Sequence, residues 1–236
     1  MVANEYKIVD NGDSAITIIF KQQPSEVLTR KIIALERIIS LDFDNKLHQI
    51  IPSYQSITLC FNPLKLAKNE LINQLNKLLS SSIKPSDTPS KLIKIPVCYQ
   101  PNFAPDLSKV AERTGLSIDK IVSLHTSTKY LVHMLGFLPG FLYLGGLDKR
   151  LYSSRKKSPR NFVPSGSVGI GGKQTGIYPV DSPGGWQIIG RTPLKLFDPN
   201  SDYPAIARPL DRIQFVSITT EKFKQLDSAN LGTAKP

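Results

Sequence analysis

Donor groups that could bind an anion are concentrated between residues 136 and 193. Most of the chain's 15 glycines lie in this stretch, and glycine turns let backbone amides approach a bound group closely. Hydroxyl, amide and guanidinium groups are interspersed with them, at Arg160, Ser165, Ser167, Gln174, Thr175, Ser182 and Arg191. We expect these donors to face an anionic substrate, because arginine binds carboxylate and phosphate groups through paired hydrogen bonds.

The same donors also have a structural interpretation. Serine and threonine hydroxyls often close turns by hydrogen bonding to nearby backbone atoms. Arg160 and Arg191 could each form an ion pair within the fold in place of a ligand contact. The basic run from Lys149 to Lys157 is typical of a solvated loop. Both interpretations stay open at this point.

One histidine is the best single choice for proton transfer. His125 stands at the end of a helix-forming segment, and the ordinary pKa of an imidazole lies near neutrality. A local hydrogen bond made by a histidine at a helix end is the competing interpretation.

Several common catalytic motifs are incomplete in the sequence. Residues 167–173 approach a phosphate-binding loop, but serine replaces its first glycine, and Gln174 stands where Ser or Thr would bind magnesium. Residues 165–167 do not have the frame of a nucleophile elbow. The three histidines have no thiol or carboxylate at ligand spacing, so we expect no metal site.

The elements that must position these residues form two groups. Over residues 1–84, alternating strand patterns mixed with two amphipathic helices predict a small α+β domain. Residues 80–90 are rich in Ser and Pro and are typical of a linker. Over residues 91–227, short strand patterns separated by turn signals predict a β-barrel or sandwich. The expected fold class is therefore α+β.

The first amphipathic helix is expected to begin after Ser25, an N-cap residue type. Helical spacing of apolar residues predicts its buried face. The positions on that face are Val27, Leu28, Ile32, Leu35, Ile38 and Ile39.

A short helix pair before the glycine-rich stretch raises the question of DNA binding. Asp106 and Ser117 are expected to cap the two helices, and Gly115 to end the first. This spacing, with a net charge of +11, fits a helix-turn-helix protein. The second helix offers Lys120 and few other donors for bases or phosphates. We therefore favour a packing role and expect no nucleic acid partner.

Composition and charge exclude some classes of protein. Hydrophobic residues make up 40% of the chain, which is ordinary for a globular protein. No apolar run reaches the length of a membrane span, and the polar start does not resemble a signal peptide. We expect a cytoplasmic protein without a membrane partner. The positive charge fits nucleic acid, anionic substrates and acidic partners equally.

Six sequence blocks between residues 125 and 193 follow one another in a recognisable order. They read H-T-S-T-K-Y, G-F-L-P-G-F-L-Y-L, S-P-R, V-P-S-G-S-V, Q-T-G-I-Y-P and S-P-G-G-W-Q-I-I-G-R-T-P. Over residues 92–217 the chain resembles the allophanate hydrolase subunit 1 or Kip-inhibitor-like family. That family includes the B component of ATP-dependent 5-oxoprolinase, an enzyme of three subunits, and the chain resembles this member best.

The resemblance implies a small ferredoxin-like N-terminal domain followed by a cyclophilin-like β-barrel domain. It implies an enzyme subunit that takes part in the ATP-driven opening of 5-oxo-L-proline to L-glutamate. The partners would be the A and C components of 5-oxoprolinase, of which C is a second cyclophilin-like subunit. ATP would be held mainly by a partner, and the chain alone is expected to be inactive.

Site residues follow from the same resemblance. His125 and Arg160 are expected to be catalytic, because the phosphorylated intermediate of such a reaction is anionic. The residues expected to bind substrate are Ser165, Ser167, Gln174, Tyr178, Ser182 and Arg191. Two other functions are compatible with the family: inhibition of a sporulation-type histidine kinase, and the carboxyltransferase half of a urea-carboxylase or allophanate system.

The chain departs from the family pattern at two places. Leu210 precedes Asp211, where the family has Gly–Asp, and we expect the change to affect a turn. The basic loop over residues 153–160 reads S-S-R-K-K-S-P-R, where the family usually begins with proline and arginine. For that reason only Arg160 of this loop is assigned a function.

Overall fold

The computed structural model of the chain describes residues 5–81 and 83–233, with side chains as far as residue 228. The chain divides into two compact units, one that ends at Pro89 and one that begins at Ser90. Each unit has a hydrophobic core of its own, as separately packed units require. The domain limits of 84 and 91 drawn from the sequence stay predictions.

The first unit is a four-stranded antiparallel sheet with two helices. Its strands are β1 (Tyr6–Asp10), β2 (Ala15–Phe20), β3 (Leu47–Pro52) and β4 (Ser56–Phe61). Their spatial order is β1-β2-β4-β3. Helix α1 (Glu26–Asp42) connects β2 to β3, and α2 (Lys68–Ser80) follows β4. Because β4 lies between the two strands that α1 connects, the unit has the split arrangement of ferredoxin-like folds.

Local sequence patterns explain these elements. On β2, Ile16, Ile18 and Phe20 are buried and the residues between them are half-buried, as the two-residue period of a strand requires. Ser25 caps α1 as predicted, since its hydroxyl accepts a hydrogen bond from the amide of Leu28 at 3.2 Å.

One predicted core position of α1 is wrong. Val27 is 66% exposed, although apolar spacing placed it on the buried face. The buried stripe runs through Leu28, Ile32, Leu35 and Ile39 at intervals of three and four residues. Val27 falls beside that stripe, because each residue is rotated by about 100° from the one before it.

The second unit is built from nine described strands. They are β5 (Leu92–Cys98), β6 (Lys129–Leu135), β7 (Leu142–Gly145), β8 (Arg160–Val163), β9 (Ser167–Gly171), β10 (Gln174–Ile177), β11 (Ser182–Gly184), β12 (Gln187–Arg191) and β13 (Arg212–Ile218). Seven of them close into a barrel in the order β10-β7-β6-β13-β5-β12-β9. Neighbouring barrel strands are antiparallel except β5 and β13. Strands β8 and β11 form a separate two-stranded ribbon.

Three helices and one 3-10 turn complete the described part of this unit. They are α3 (Leu107–Thr114), α4 (Ile118–Ser127), α5 (Thr220–Thr233) and the turn Lys149–Leu151. Helix α3 packs against β12, and α4 packs against β13. Gly115 between them has a φ of +67°, a left-handed conformation that ends helices. The two helices therefore have the packing role that the sequence favoured over DNA binding.

The predicted cap of α3 is wrong. Asp106 precedes the helix, but within the described structure its side chain does not accept a hydrogen bond from the first turn. Its carboxylate accepts hydrogen bonds from the guanidinium of Arg160 and the amide of Ile188 instead. A charged partner binds a carboxylate more strongly than a backbone amide does, so the ion pair takes the place of the cap.

The expected effect of Leu210 on a turn stays a prediction, but Leu210 takes the backbone conformation that glycine favours. Its φ is +76°, in the region where glycine carries no steric cost and other residues do. The side chain is 1% exposed, so burial of a leucine offsets the backbone strain. The following Asp211 holds the turn through its carboxylate, which accepts from the amides of Lys91 and Arg208.

Two apolar clusters line the barrel wall on opposite sides. The cluster inside the barrel includes Val97, Tyr130, Ile170 and Phe215. The cluster outside it is smaller and consists of Phe141, Val163, Tyr178, Trp186 and Ile188, with Leu138 and Tyr143 packed against it. A membrane-crossing helix, long and apolar along its length, does not occur in the part of the chain that the structure describes.

Candidate functional site

A pocket of about 320 Å³ opens beside the outer aromatic cluster of the barrel. Its lining combines aromatic rings, backbone of a glycine pair and two cationic side chains. The lining residues are Phe137, Phe141, Tyr143, Arg155, Lys156, Pro159, Tyr178, Pro183, Gly184, Gly185 and Trp186. A concave, mostly apolar cavity with a few convergent polar groups is the usual form of a ligand site. We call it the aromatic pocket.

Glycines on the outer face of two barrel strands make room for Trp186. Ile170 of β9 belongs to the interior cluster, so Gly171 next to it faces outward. A Cβ on Gly171 would overlap the indole ring, and one on Gly176 of β10 would lie 2.9 Å from it. Trp186 can therefore lie against bare backbone. The glycine density that predicted tight turns also provides the base of this pocket.

The rings around Phe141 meet edge to face. Phe141 lies 5.5 Å from Trp186 and 5.0 Å from Tyr178 between ring centroids, both at 89°. Phe137 meets it at 5.7 Å and 90°. These are favourable aromatic geometries, since the positive edge of one ring faces the negative face of the next. Interlocked rings of this kind hold the walls of the pocket in place.

Phe137 is unusual in both backbone and exposure. Its φ is +68°, a left-handed conformation that costs a residue with a Cβ about 1–2 kcal/mol. Its side chain is 63% exposed, so burial does not offset that strain in the way it does at Leu210. Strained and exposed residues occur often at functional sites, and Phe137 forms part of the pocket rim.

Cationic groups lie at the mouth of the pocket. The guanidinium of Arg155 is 5.6 Å from the centroid of the Trp186 ring, within cation–π range. Burial raises the pKa values of Tyr143 and Tyr178, and the positive charge of Arg155 opposes both increases. The two phenol groups therefore stay protonated near neutral pH and face the field of Arg155.

Asp106 anchors the segment that carries these cations. The carboxylate is fully buried and accepts from Arg160 at 2.7 and 2.6 Å. The amide of Ile188 donates to it at 2.7 Å, and Nζ of Lys156 lies 3.5 Å away. Burial alone would raise the pKa of Asp106, but the hydrogen bonds and charges of these neighbours outweigh burial and lower it. Arg160 is thus in a structural ion pair, one of the two roles considered for it.

His125 lies inside the barrel, away from the aromatic pocket. Its Nδ1 is 2.7 Å from the hydroxyl of Tyr99, and its Nε2 is 3.0 Å from the hydroxyl of Thr175. The ring stacks on Phe215 at 4.4 Å. Burial lowers the pKa of His125 to about 3, well below the ordinary value for an imidazole. Its role in proton transfer stays a prediction, and its surroundings favour a structural role.

A second group of predicted donors closes the turn before β9. Nε of Arg191 donates to the carbonyl of Ser165 at 2.8 Å. The amide of Ser165 donates to the carboxylate of Asp181, and its hydroxyl donates to the carbonyl of Pro179. These contacts match the turn-closing interpretation of Ser165. Binding of substrate by these two residues stays a prediction.

The remaining predicted donors are distributed over three strands. Ser167 begins β9 and is buried, and Gln174 begins β10 and is half-buried. Ser182 begins β11, and no described residue offers its buried hydroxyl a hydrogen-bond partner. An unpaired buried hydroxyl is uncommon, and binding of substrate by Ser182 stays a prediction. Tyr178 is the member of the predicted set that lines the aromatic pocket.

Two other features of the described structure bear on the choice of site. A larger groove of about 620 Å³ lies beside α3 and α4, and the charged residue in its lining is Asp119. The groove therefore has no cation to receive an anion. Across residues 5–81 and 83–233, no group of three His, Cys, Asp or Glu side chains is placed to hold a metal ion.

Sequence reasoning missed most of the aromatic pocket. Arg155 belongs to the basic run that is typical of a solvated loop, and the sequence assigns no function to Trp186. The signal that could have found the pocket is the alternation on β9 and β10, where Gly169, Gly171 and Gly176 stand at outward positions beside Trp186. Asp106 could not be found in this way, because its partner Arg160 is 54 residues away in the sequence.

Comparison with known proteins identifies the family. Residues 6–207 match the family described as carboxyltransferase domain, subdomain C and D. The B component of the 5-oxoprolinase of Bacillus subtilis is 36% identical over 228 residues, which cover 92% of this chain and 95% of that protein. The B component of the 5-oxoprolinase of Escherichia coli O157:H7 is 47% identical over 169 residues, which cover 71% and 77% of the two chains.

A solved structure supports the fold. The crystal structure of the K. lactis urea amidolyase superposes with a TM-score of 0.82 at 20% identity, over 98% of this chain. This chain spans only 16% of the length of that protein. The predicted α+β fold, a small sheet domain followed by a β-barrel, is confirmed. The predicted family is confirmed by the match over residues 6–207, and the chain belongs to the carboxyltransferase domain family, subdomains C and D.

Proposed function

We propose that this chain is the B component of an ATP-dependent 5-oxoprolinase. The observation that supports this is the alignment with the B component of the Bacillus subtilis 5-oxoprolinase, which extends over 95% of that protein. In this proposal the chain acts with the A component and with the C component, a second cyclophilin-like subunit. The assembled enzyme converts 5-oxo-L-proline to L-glutamate, and the chain alone is inactive.

The chemistry explains why ATP and several subunits are needed. Amide resonance makes the ring carbonyl of 5-oxoproline a poor electrophile. Transfer of the terminal phosphoryl group of ATP to the lactam oxygen would activate the ring carbon and release ADP. Water would then add to that carbon, and the ring C–N bond would break to give the free amine and an acyl phosphate. A second water would hydrolyse the acyl phosphate to the carboxylate and release phosphate. Developing negative charge on this path is stabilised by fixed cations and amide donors.

We assign the nucleotide mainly to a partner subunit. The phosphate-loop pattern is incomplete over residues 167–174 of this chain. The aromatic pocket, at about 320 Å³, is at the small end of the range for ligand cavities. A cavity of that size suits the small substrate better than it suits a whole nucleotide.

The predicted catalytic residues receive modified roles in this proposal. Arg160 acts as a positioning residue, since its ion pair with Asp106 holds the segment that carries Arg155 and Lys156. His125 holds Thr175 of β10 inside the barrel. Neither residue lines the aromatic pocket as described, so contact of either one with substrate would require a movement of the chain.

Reconstitution tests the proposal. The chain is co-expressed with the A and C components, and glutamate release from 5-oxoproline is measured with and without ATP. We expect release that depends on ATP and stops when this chain is omitted. Full activity of the A and C components without this chain, or no activity of the three together, would contradict the proposal.

The same preparations separate the two other functions that the family allows. Recovery of a histidine kinase with the tagged chain from native cells would favour an inhibitor. Carboxyl transfer in the presence of a biotin-carrying partner would favour the carboxyltransferase half of a urea-carboxylase or allophanate system. Either result, together with an absence of glutamate release, would replace the proposal.

A further inference from the structure

The aromatic pocket has the chemistry to hold a small ring that carries a carboxylate. We infer that it binds the cyclic acid substrate, with the ring against the aromatic walls and the carboxylate at Arg155. This inference rests on the proposed function for the identity of the acid, 5-oxo-L-proline. It assigns a binding role to Arg155, which the sequence interpretation left as a solvated cation.

Size favours a small molecule. The cavity volume is about 320 Å³, and ligand cavities in proteins range from about 300 to 1,000 Å³. A five-membered lactam with one carboxylate fits in this space together with a few water molecules. A nucleotide would extend far beyond it.

The walls favour a flat ring. Phe137, Tyr143 and Trp186 each contribute a ring to the lining. Tyr143 and Trp186 are held 6.0 Å apart at 70°. An aromatic face attracts the polarised hydrogens at the edge of a lactam ring, as it attracts the edge of another aromatic ring. The backbone at Gly184 and Gly185 completes the wall, where a side chain at Gly184 would lie 2.6 Å from the Tyr178 hydroxyl.

Charge favours an anion. The lining contains Arg155 and Lys156 and, among the described residues, no carboxylate. Lys156 shares Asp106 with Arg160, so one acidic residue balances two of the three nearby cations. None of the described acidic residues forms an ion pair with Arg155, which lies over the ring of Trp186 instead. A carboxylate of the substrate would complete this arrangement.

Two phenol hydroxyls could orient the bound ring. Tyr143 and Tyr178 both line the pocket together with Arg155. A protonated phenol donates a hydrogen bond to a lactam carbonyl and accepts one from a lactam N–H. The combination of ring, carboxylate and amide is what distinguishes this substrate from other small acids.

Trp186 is the natural reporter of binding, because the chain has a single tryptophan. The full chain is titrated with 5-oxo-L-proline while the indole emission is recorded. We expect a saturable change. 2-Pyrrolidinone, which has the lactam ring without the carboxylate, should bind at least about tenfold more weakly, since it lacks the charge-assisted contact.

Variants locate the contact. Arg155→Gln should weaken binding of 5-oxo-L-proline by about tenfold or more and leave binding of 2-pyrrolidinone unchanged. Lys157→Gln is the matched control, because Lys157 is an exposed cation two residues away that does not line the pocket. In the complex with the A and C components, Arg155→Gln should raise the KM for 5-oxo-L-proline about tenfold without a change in the KM for ATP.

The outcomes separate this inference from the proposed function. If the complex releases glutamate and Arg155→Gln changes neither the indole titration nor the KM for 5-oxo-L-proline, the inference is wrong and the function stands. If the complex releases no glutamate while the chain binds 5-oxo-L-proline through Arg155, the function is wrong and the pocket stands. Equal effects of Arg155→Gln and Lys157→Gln would also overturn the inference, since they would indicate a general charge effect.

Discussion

The apolar clusters inside and outside the barrel differ in whether the polar groups next to them have partners within the fold. Inside the barrel, both nitrogens of His125 have hydroxyl partners, and the ring stacks on Phe215. Outside the barrel, Arg155 lies over Trp186 without an ion pair among the described residues. Both clusters combine aromatic rings with a nitrogen-containing polar side chain. The polar side chain of the inner cluster has its hydrogen-bond partners within the fold, whereas the outer cluster borders a cavity.

This difference shows which cluster can bind a molecule. Buried polar groups with complete hydrogen bonding stabilise one arrangement of a core and offer no site to a ligand. An unpaired cation beside a rigid apolar cavity can gain a partner on binding. The inner cluster therefore serves the fold, and the outer cluster is the better candidate for function. Four predictions test this division.

The largest effect is expected at the buried anchor of the outer wall. Asp106→Ala should lower the free energy of unfolding by about 3–5 kcal/mol, because it leaves Arg160 and the amide of Ile188 without their buried acceptor. Denaturation in urea measures the change. Glu112→Ala is the control, at an exposed residue of the helix α3 that follows Asp106, for which we expect less than about 0.5 kcal/mol. Equal losses in the two variants would show that Asp106 does not anchor the wall.

The next effect concerns the bare backbone under Trp186. Gly171→Ala would place a methyl group too close to atoms of the indole ring, and overpacking of this kind costs about 1–3 kcal/mol. We also expect the indole emission to shift toward longer wavelength as the ring moves into water. In Gly185→Ala the new methyl group would meet its nearest neighbour, Pro159, at 3.7 Å, so stability and emission should change little. If both variants behave like the unchanged chain, the glycines do not determine the position of Trp186.

The inner cluster predicts a dependence of stability on pH. The pKa of His125 is about 3 in the folded chain and about 6.5 when it is unfolded. The unfolded chain therefore binds more protons between these values, and stability is complete above pH 6.5 and falls as the pH drops. Between pH 8 and pH 5 the free energy of unfolding should decrease by about 2 kcal/mol through this group.

Variants isolate this contribution. His125→Gln should remove this decrease in the free energy of unfolding at low pH. His48→Gln, at an exposed histidine, should retain the decrease. Urea denaturation at several pH values gives the slopes. A slope that is the same in all three proteins would mean that folding does not shift the pKa of His125, and its assignment to the closed cluster would be wrong.

The smallest effect is expected where the chain enters β13. At Leu210, with a φ of +76°, glycine relieves strain that alanine retains. Leu210→Gly should therefore be more stable than Leu210→Ala by about 1 kcal/mol. Leu196 is equally buried, but it is not among the described residues with a positive φ. There Leu196→Ala should be more stable than Leu196→Gly. The same order at both sites would contradict the strain argument.

Local patterns predicted much of the fold. Alternation of apolar residues identified β2, and Ser25 caps α1 as its residue type indicated. The leucine at position 210, in place of glycine, indicated an altered turn, and its backbone is strained there. These features depend on neighbours within a few residues, and their physical causes can be read from a short window of sequence.

The residues that the sequence predicted for the site differ from those that line the aromatic pocket. Of the residues expected to bind substrate, Tyr178 lines that pocket, and Ser165 and Arg191 lie in a turn, where their binding role stays a prediction. Val27 and Asp106 also show that residue type alone does not predict the contacts of a side chain. Each has a residue type that suits the predicted position, but the direction in which the side chain points is decided by what packs against it.

The sequence by itself determined the order and type of the elements, the two-part organisation and the family of the chain. Only the tertiary structure decided which side chains meet. It placed His125 in a closed interior, where burial lowers its pKa, and paired Arg160 with Asp106 across 54 residues. The reason is that strand and helix periods are local properties, whereas burial and ion pairing depend on residues that closure of the barrel brings together.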